Sequence, residues 1–366
     1  MAKKMIICGY CRVKNEADII ESFCRWNLTY LDALIIWDDN SSDRTVEIIQ
    51  FLVDEGLSIE LLHLTKEEQI HYEFDINDIM SLNERCKYIF QKYNADWVVP
   101  LDADEFLCCE GDTDVRLELE KLDENVQYSI YWRTGIFSHD PDDSTIFLPN
   151  YFKEYRDPSY EMFSKVLLSR TLVEKWGAML YAGKHQLVFQ GNTGSSSVPP
   201  SITHNTLCLA HYPIRSITHT LIKVICAQIK NFSYDGETTF HYKRIYDEIK
   251  SEGTRISAKM VRQFSLEYAL LPQQMTESVI TVKQPSDVLG SDFLSDNLRL
   301  KYTDYSESNY LGTILIFIEQ IIEKLKCKNK EVINETSGML QEMKTLFDDL
   351  YKVNLDLRKQ IEQGNS

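Results

Sequence analysis

The sequence predicts an α/β protein, with a mostly parallel sheet and flanking helices followed by a C-terminal helical or coiled-coil extension. Three observations carry this. Over the first hundred residues or so, short runs of strand-forming residues alternate with amphipathic stretches of helical period. Two acid-rich segments, DDNSSD and DADE, follow the second and fourth of these runs. Beyond residue 310, apolar residues recur at alternating spacings of four and three.

The elements follow in order. MIIC is a first strand, and the stretch 16–30 sets Ile19, Ile20, Phe23 and Trp26 on one helical stripe. ALIIW is a second strand. A helix is expected from Thr45 to Glu55, with Ser42 or Asp43 as N-cap and Gly56 as its stop. IELLHL is a third strand, residues 77–92 a further helix, and WVVPL a fourth strand. Strands separated by helices imply a right-handed parallel winding, with ligands outside the carboxyl ends of the strands. Both acid-rich loops fall at that address.

The middle changes character. QYSIYWRTGIF, STIFL and SKVLLS read as strands, and 189–206, rich in Gly, Ser and Pro, as a surface loop. Residues 216–231 form a clear helix, with weaker helical patterns at 241–250 and 258–270. From Leu311 to Leu357 the heptad register is unbroken, with Asn329 and Thr336 at a positions, so self-association through residues 311–360 is expected. The expected divisions are a catalytic domain over 1–230 (halves 1–108 and 109–230), a helical extension over 231–305 and an oligomerisation segment over 306–366.

Composition narrows the function. A 43% hydrophobic and 26% charged chain of 366 residues folds around a real core. A formal charge of −17 disfavours nucleic acid and anionic bilayers as partners, leaving at most peripheral membrane contact. Nine cysteines without a regular framework or a secretory signal point to reduced thiols in a cytoplasm, at most at the inner face of the membrane. Cys8 and Cys11 form a lone C-x-x-C, read as two half-buried thiols rather than a zinc site.

The stretch WVVPLDADEF carries the chemistry. An apolar strand ends in Asp102, Asp104 and Glu105, and like charges this close call for something positive among them. Asp102 and Asp104, two apart on extended backbone, point to one side. A hard divalent ion, Mn2+ or Mg2+, suits them, since it is held by one or two carboxylates together with substrate phosphates. The second acid could then meet a ribose hydroxyl.

RVKNEADIIESFCRWNLTYLDALIIWDDNSSDRT, followed by ADWVVPLDADEF, resembles the nucleotide-sugar-binding half of glycosyltransferases with the GT-A (Rossmann-like) fold. The similarity is to the family-two-like branch, with N-E near the start, D-D-x-S-x-D-x-T after the second strand and D-x-D-E-F after the fourth. It covers residues 4–108, and continues more weakly through FSKVLLSR and AGKHQLV to LAHYPIRS. The resemblance implies a metal-dependent, inverting hexosyltransferase that takes a UDP-sugar donor and a glycan or glycoconjugate acceptor, as in the synthesis of bacterial surface polysaccharide or glycoprotein. It implies nucleotide-sugar contacts for Asn15, Glu16, Asp38 and Asp39, with Asp39 accepting from the base. Asp104 would bind the metal, Asp102 would sit nearer the ribose or a metal-bound water, and His211 would supply a later metal ligand. Arg215 and Lys223 would meet the diphosphate.

On the acceptor side, an inverting transfer needs a general base. Asp140, Glu161 and His185 are the candidates, with Asp142 and Asp143 beside the first. The family's acidic E-D motif is absent from this region. Tyr131, Trp132 and Arg133 could face a sugar or the core. The reading from another class is a non-catalytic nucleotide-sugar-binding scaffold that recruits partners through its coiled coil.

Overall fold

The computed structural model describes residues 4–65, 76–189, 199–232, 240–251, 256–270, 274, 280–291, 293, 298–305 and 345. The coiled-coil expectation lies outside these residues. Two compact units emerge, one of Met1–Thr220 with Ala258–Thr313, the other of Leu221–Ser257 with Ile314–Ser366.

The first unit is built on an eight-stranded sheet of β1 (Ile7–Val13), β2 (Ala33–Asp38), β3 (Ile59–His63), β4 (Trp97–Leu101), β5 (Glu105–Cys109), β6 (Gln127–Thr134), β8 (Ser164–Ser169) and β11 (Ser201–His211). Two short pairs stand outside it, β7 (Tyr155–Arg156) with β12 (Val282–Lys283), and β9 (Ala178–Leu180) with β10 (Leu187–Phe189). The order in the large sheet is β3-β2-β1-β4-β8-β6-β11-β5. From β3 to β4 every pairing is parallel, as expected for the first hundred residues. Beyond β4 the sheet is mixed, with β8 antiparallel to both β4 and β6, β11 parallel to β6 and β5 antiparallel to β11. The α/β class thus holds, with the parallel character confined mainly to the first half.

Period-two alternation divides the side chains of β1 between the faces of the sheet. Ile7, Cys11 and Val13 join the core under α1 (Ile20–Asn27) and α2 (Thr45–Asp54). Cys8 and Tyr10 join the core under α3 (Ile76–Tyr93) and α5 (Arg170–Trp176). Both thiols of the C-x-x-C are buried, and burial pushes the Cys8 thiol up to about 12. The helices match their apolar stripes, although α1 begins at Ile20 rather than near residue 16. The N-cap of α2 is Arg44 rather than Ser42 or Asp43, although Asp43 accepts from the Thr45 backbone N–H at 2.9 Å, and Gly56 follows the helix end at φ +93°.

Three segments differ from expectation. EFLCC, not expected as a strand, forms β5, pinned by Asn27, which donates to the Glu105 carbonyl at 3.2 Å and accepts from the Leu107 N–H at 2.9 Å. The last six residues of the Gly- and Ser-rich stretch expected as a loop, 201–206, belong to the eleven-residue strand β11. Its pairings with both β6 and β5 override local composition. STIFL is not a strand; Ile146 makes one isolated bridge to Arg299 before a 3₁₀ turn at Leu148–Tyr151.

Other helices of the chain are α4 (Val115–Glu120), α6 (Ile217–Phe232), α7 (Phe240–Ser251) and α8 (Ala258–Glu267). Within the first unit, Val288, Leu289 and Phe293 enter the core beside Trp26. In the second unit, Ile222 and Val224 of α6 and Ile245 and Ile249 of α7 are buried.

This topology gathers one set of strand ends. Parallel pairing aligns the exits of β1, β2 and β4, and Glu105 at the start of β5 faces His211 at the end of β11. Thr134 at the end of β6 also pairs with His211, and Ser164 at the start of β8 pairs with Tyr131.

Candidate active site

The positive charge expected among the acids of WVVPLDADEF is supplied in part by the chain itself. Asp102 receives Lys165 on Oδ2 and Lys184 on Oδ1, each at 2.5 Å. Burial opposes ionisation of Asp102, but the two ammonium groups outweigh it and hold its carboxyl far below the usual range. Both lysines are raised despite their burial. Lys165 also donates to the Gly183 carbonyl at 3.0 Å and Lys184 to the Leu101 carbonyl at 2.9 Å. The turn carrying Lys184 is left-handed, with φ +73° at Gly183 and +62° at Lys184. A non-glycine residue held there marks stored backbone strain, which the bonds of Lys184 offset.

Glu105 is fully buried behind Asp102. It accepts from the Trp132 indole N–H at 2.7 Å and from the Asp102 backbone N–H at 2.8 Å, with Lys165 at 3.5 Å. Burial pushes its carboxyl up to about 8; Lys165 opposes this, while the charges of Asp102 and Asp104 add to it.

Asp104 lies between two basic groups. His211 Nε2 is 3.9 Å from Oδ1 and Arg215 Nη1 is 3.7 Å from Oδ2. The His211 ring stacks on Trp132, with centroids 4.0 Å apart and planes 25° from parallel. Arg215 is buried and bonds to Asp18 and Glu16.

At the exit of β2, Asp39 accepts from Arg12 at 2.8 Å on Oδ2, and its buried Oδ1 has no hydrogen-bond partner. Lys14 stands 3.9 Å from that oxygen. Asp38 points elsewhere, accepting from the Ser41 N–H at 3.1 Å and lying 3.3 Å from His63 Nδ1. Asn15, at φ +58°, fastens the β1 exit to the β2 loop by accepting from the Ser42 N–H at 2.7 Å.

The acceptor-side residues are placed differently from one another. Glu161 is buried against Arg156 at 2.6 Å and accepts from the Thr134 N–H at 2.9 Å. Asp140 accepts from the Ile217 N–H at 2.8 Å, at the start of α6. His185 donates from Nδ1 to the Ser164 carbonyl at 2.7 Å, which leaves the lone pair on Nε2. Burial, then the nearby charge of Lys165, lowers its pKa. Its ring sits by Phe163 and Trp132, at 5.2 and 5.6 Å between centroids. Lys223 belongs to the second unit.

The structure therefore brings Asp102, Asp104, Glu105, His211 and Arg215 together around the β4–β5 turn, with Glu16 tied in through Arg215. Sequence reasoning missed Lys165, Lys184 and Asp18 as members, and named Glu105 among the three acids without giving it a role of its own. Lys165 had left a signal, a lysine at an inward position of the apolar strand SKVLLS.

Among the described residues, no group of three or more His, Cys, Asp or Glu is arranged to hold a metal ion. Asp104 and His211 nevertheless fit two positions of a hard divalent ion that completes its shell with water and phosphate oxygens. Asp102 does not fit while both its oxygens are held by lysines.

No family model and no curated protein matches the chain. Among solved structures it is similar to a mannosyltransferase from Pyrobaculum calidifontis in complex with GDP-Man and Mn2+, at 14% identity, 76% of this chain, 77% of that one and a TM-score of 0.34. GalNAc-T7 with UDP, GalNAc and Mn2+ is similar at 9% identity, 74% and 55% coverage and a TM-score of 0.31. The mannosyltransferase Ktr4p from S. cerevisiae matches at 15% identity, 38% and 41% coverage and a TM-score of 0.22.

Proposed function

We propose that the chain is a divalent-metal-dependent GT-A glycosyltransferase that moves a sugar from a UDP-sugar to a glycan or glycoconjugate acceptor, such as a bacterial surface polysaccharide. The observation that carries this reading is the pair Asp104 and His211, 3.9 Å apart where the β4–β5 turn meets the end of β11. Asp39, with one oxygen on Arg12 and the other without a hydrogen-bond partner, supports recognition of a nucleobase N–H.

Cleaving a sugar from a nucleoside diphosphate builds charge on the leaving oxygen; Asp104 and His211 would hold a divalent ion, which when bound would supply Lewis-acid stabilisation of that charge. Lys165 and Lys184, neutralised in part by Asp102, add positive charge at the same turn. His185 is the favoured base. Its Nδ1 is committed to Ser164, its Nε2 lone pair is available, and its lowered pKa keeps it neutral near pH 7. Glu161 and Asp140 are each engaged in structural bonds. Transfer to the acceptor hydroxyl then proceeds with inversion.

Calorimetric titration of UDP, with GDP and CDP beside it, with and without Mn2+, tests the proposal on the wild type and on Asp104→Ala. Metal-dependent UDP binding lost in the variant is expected. Binding of no nucleotide would sink the proposal, whereas metal-dependent UDP binding without turnover of any UDP-sugar would favour the non-catalytic scaffold.

A further inference from the structure

We infer that Arg215 is a positioning residue, an internal guanidinium that joins the two acidic loops and sets Asp104 toward His211, rather than a ligand of the diphosphate. The inference rests on the proposed reading of Asp104 and His211 as a cation-holding pair.

The Arg215 side chain is 0% exposed. Its Nε donates to Asp18 Oδ2 at 2.8 Å, and Nη2 donates to Asp18 Oδ1 at 3.0 Å and to Glu16 Oε2 at 2.6 Å. The remaining nitrogen, Nη1, is buried without a hydrogen-bond partner and stands 3.7 Å from Asp104 Oδ2. Glu16 and Asp18 belong to the turn after β1, and Asp104 to the turn after β4. One planar fork thus faces three carboxylates from two loops, which a lysine's single ammonium could not do with the same geometry.

The consequence for Asp104 is directional. With Oδ2 drawn toward Nη1, Oδ1 faces Nε2 of His211 at 3.9 Å. The face of the His211 ring stacks on Trp132, whose N–H is fixed on the buried Glu105. Each member of the pair is therefore held by a protein group other than the proposed ion. Outer groups of this kind orient ligands and tune affinity for metal. The enclosure of Arg215 leaves it no surface to offer a diphosphate.

The test uses the full chain and Mn2+ alone, followed by water-proton relaxation enhancement, with far-ultraviolet circular dichroism confirming the fold of each variant. Wild type is expected to bind Mn2+ and Asp104→Ala to lose it. Arg215→Lys keeps the charge but not the fork, and is expected to weaken Mn2+ binding about tenfold or more. Asp18→Asn removes the charge that aligns the fork without touching the pair, and should weaken binding in the same direction. If Arg215→Lys does not fold, Asp18→Asn decides. Folded variants with wild-type Mn2+ affinity would show that Arg215 only stabilises the fold, and overturn the inference while leaving the cation pair intact. A wild type that binds no Mn2+, or an Asp104→Ala that binds it equally, overturns the cation pair and the inference together.

Discussion

Two titratable side chains, the half-buried His185 and the fully buried Glu105, give the sharpest expectations at the level of single residues. His185, committed through Nδ1 to Ser164 and lowered in pKa, is available as a base further into acid than an ordinary imidazole. In His185→Gln, kcat is expected to fall by about 10²–10⁴ with nucleotide affinity by calorimetry unchanged. In the wild type, the acid limb of the rate profile should lie below the ordinary histidine value near pH 6.5. Glu105 behaves in the opposite sense. Its carboxyl is raised to about 8, so the folded protein retains a proton that the unfolded chain releases above its ordinary value of 4.5. The stability this gives is complete below that ordinary value and is lost as pH rises through about 8. Thermal unfolding of wild type and Glu105→Gln, compared near pH 5.5 and 8.5, should show the wild type losing more, on the order of 1–3 kcal/mol. Equal losses would remove Glu105 as the source.

Whole elements depend on a few buried junctions. Glu21 of α1 is 0% exposed and accepts from the backbone N–H groups of Lys301, Tyr302 and Thr303 and from the Thr303 hydroxyl. It also pairs with Arg25 at 2.9 Å. Replacing it with Ala strands these donors and is expected to cost about 2–4 kcal/mol, read by urea unfolding. Gly135, just past β6, presents a second junction. A Cβ there would stand 2.7 Å from the Tyr212 ring and 2.9 Å from Phe152. Both rings are buried, and Tyr212 adjoins His211. Gly135→Ala should therefore cost about 1–3 kcal/mol in the same assay through overpacking. It should also weaken Mn2+ binding, because the backbone that carries His211 must shift. The unexpected strand β11 shows why such junctions escape local reading, since its polar first half, SITHNT, is extended by pairing with β6.

For the whole molecule, the heptads from Leu311 to Leu357 predict self-association. Removing residues 311–366 is expected to turn a multimer into a monomer in light scattering; an unchanged mass would refute the coiled coil. Among the described residues, no helix is long and apolar enough to cross a membrane. By itself the sequence determined the α/β class and the order of strands and helices through Leu101, because each element carries its own period and its own breakers. It also determined that acids crowd the exits of β2 and β4, since DDNSSD and DADE are local features that follow apolar runs. Only tertiary structure decided which cations answer those acids. Lys165 and Lys184 reach Asp102 from 63 and 82 residues away, and Arg215 reaches Asp18 across 197. Charge pairing depends on distances of a few ångströms, and between residues so far apart in the chain those are set by sheet order, which no local pattern encodes.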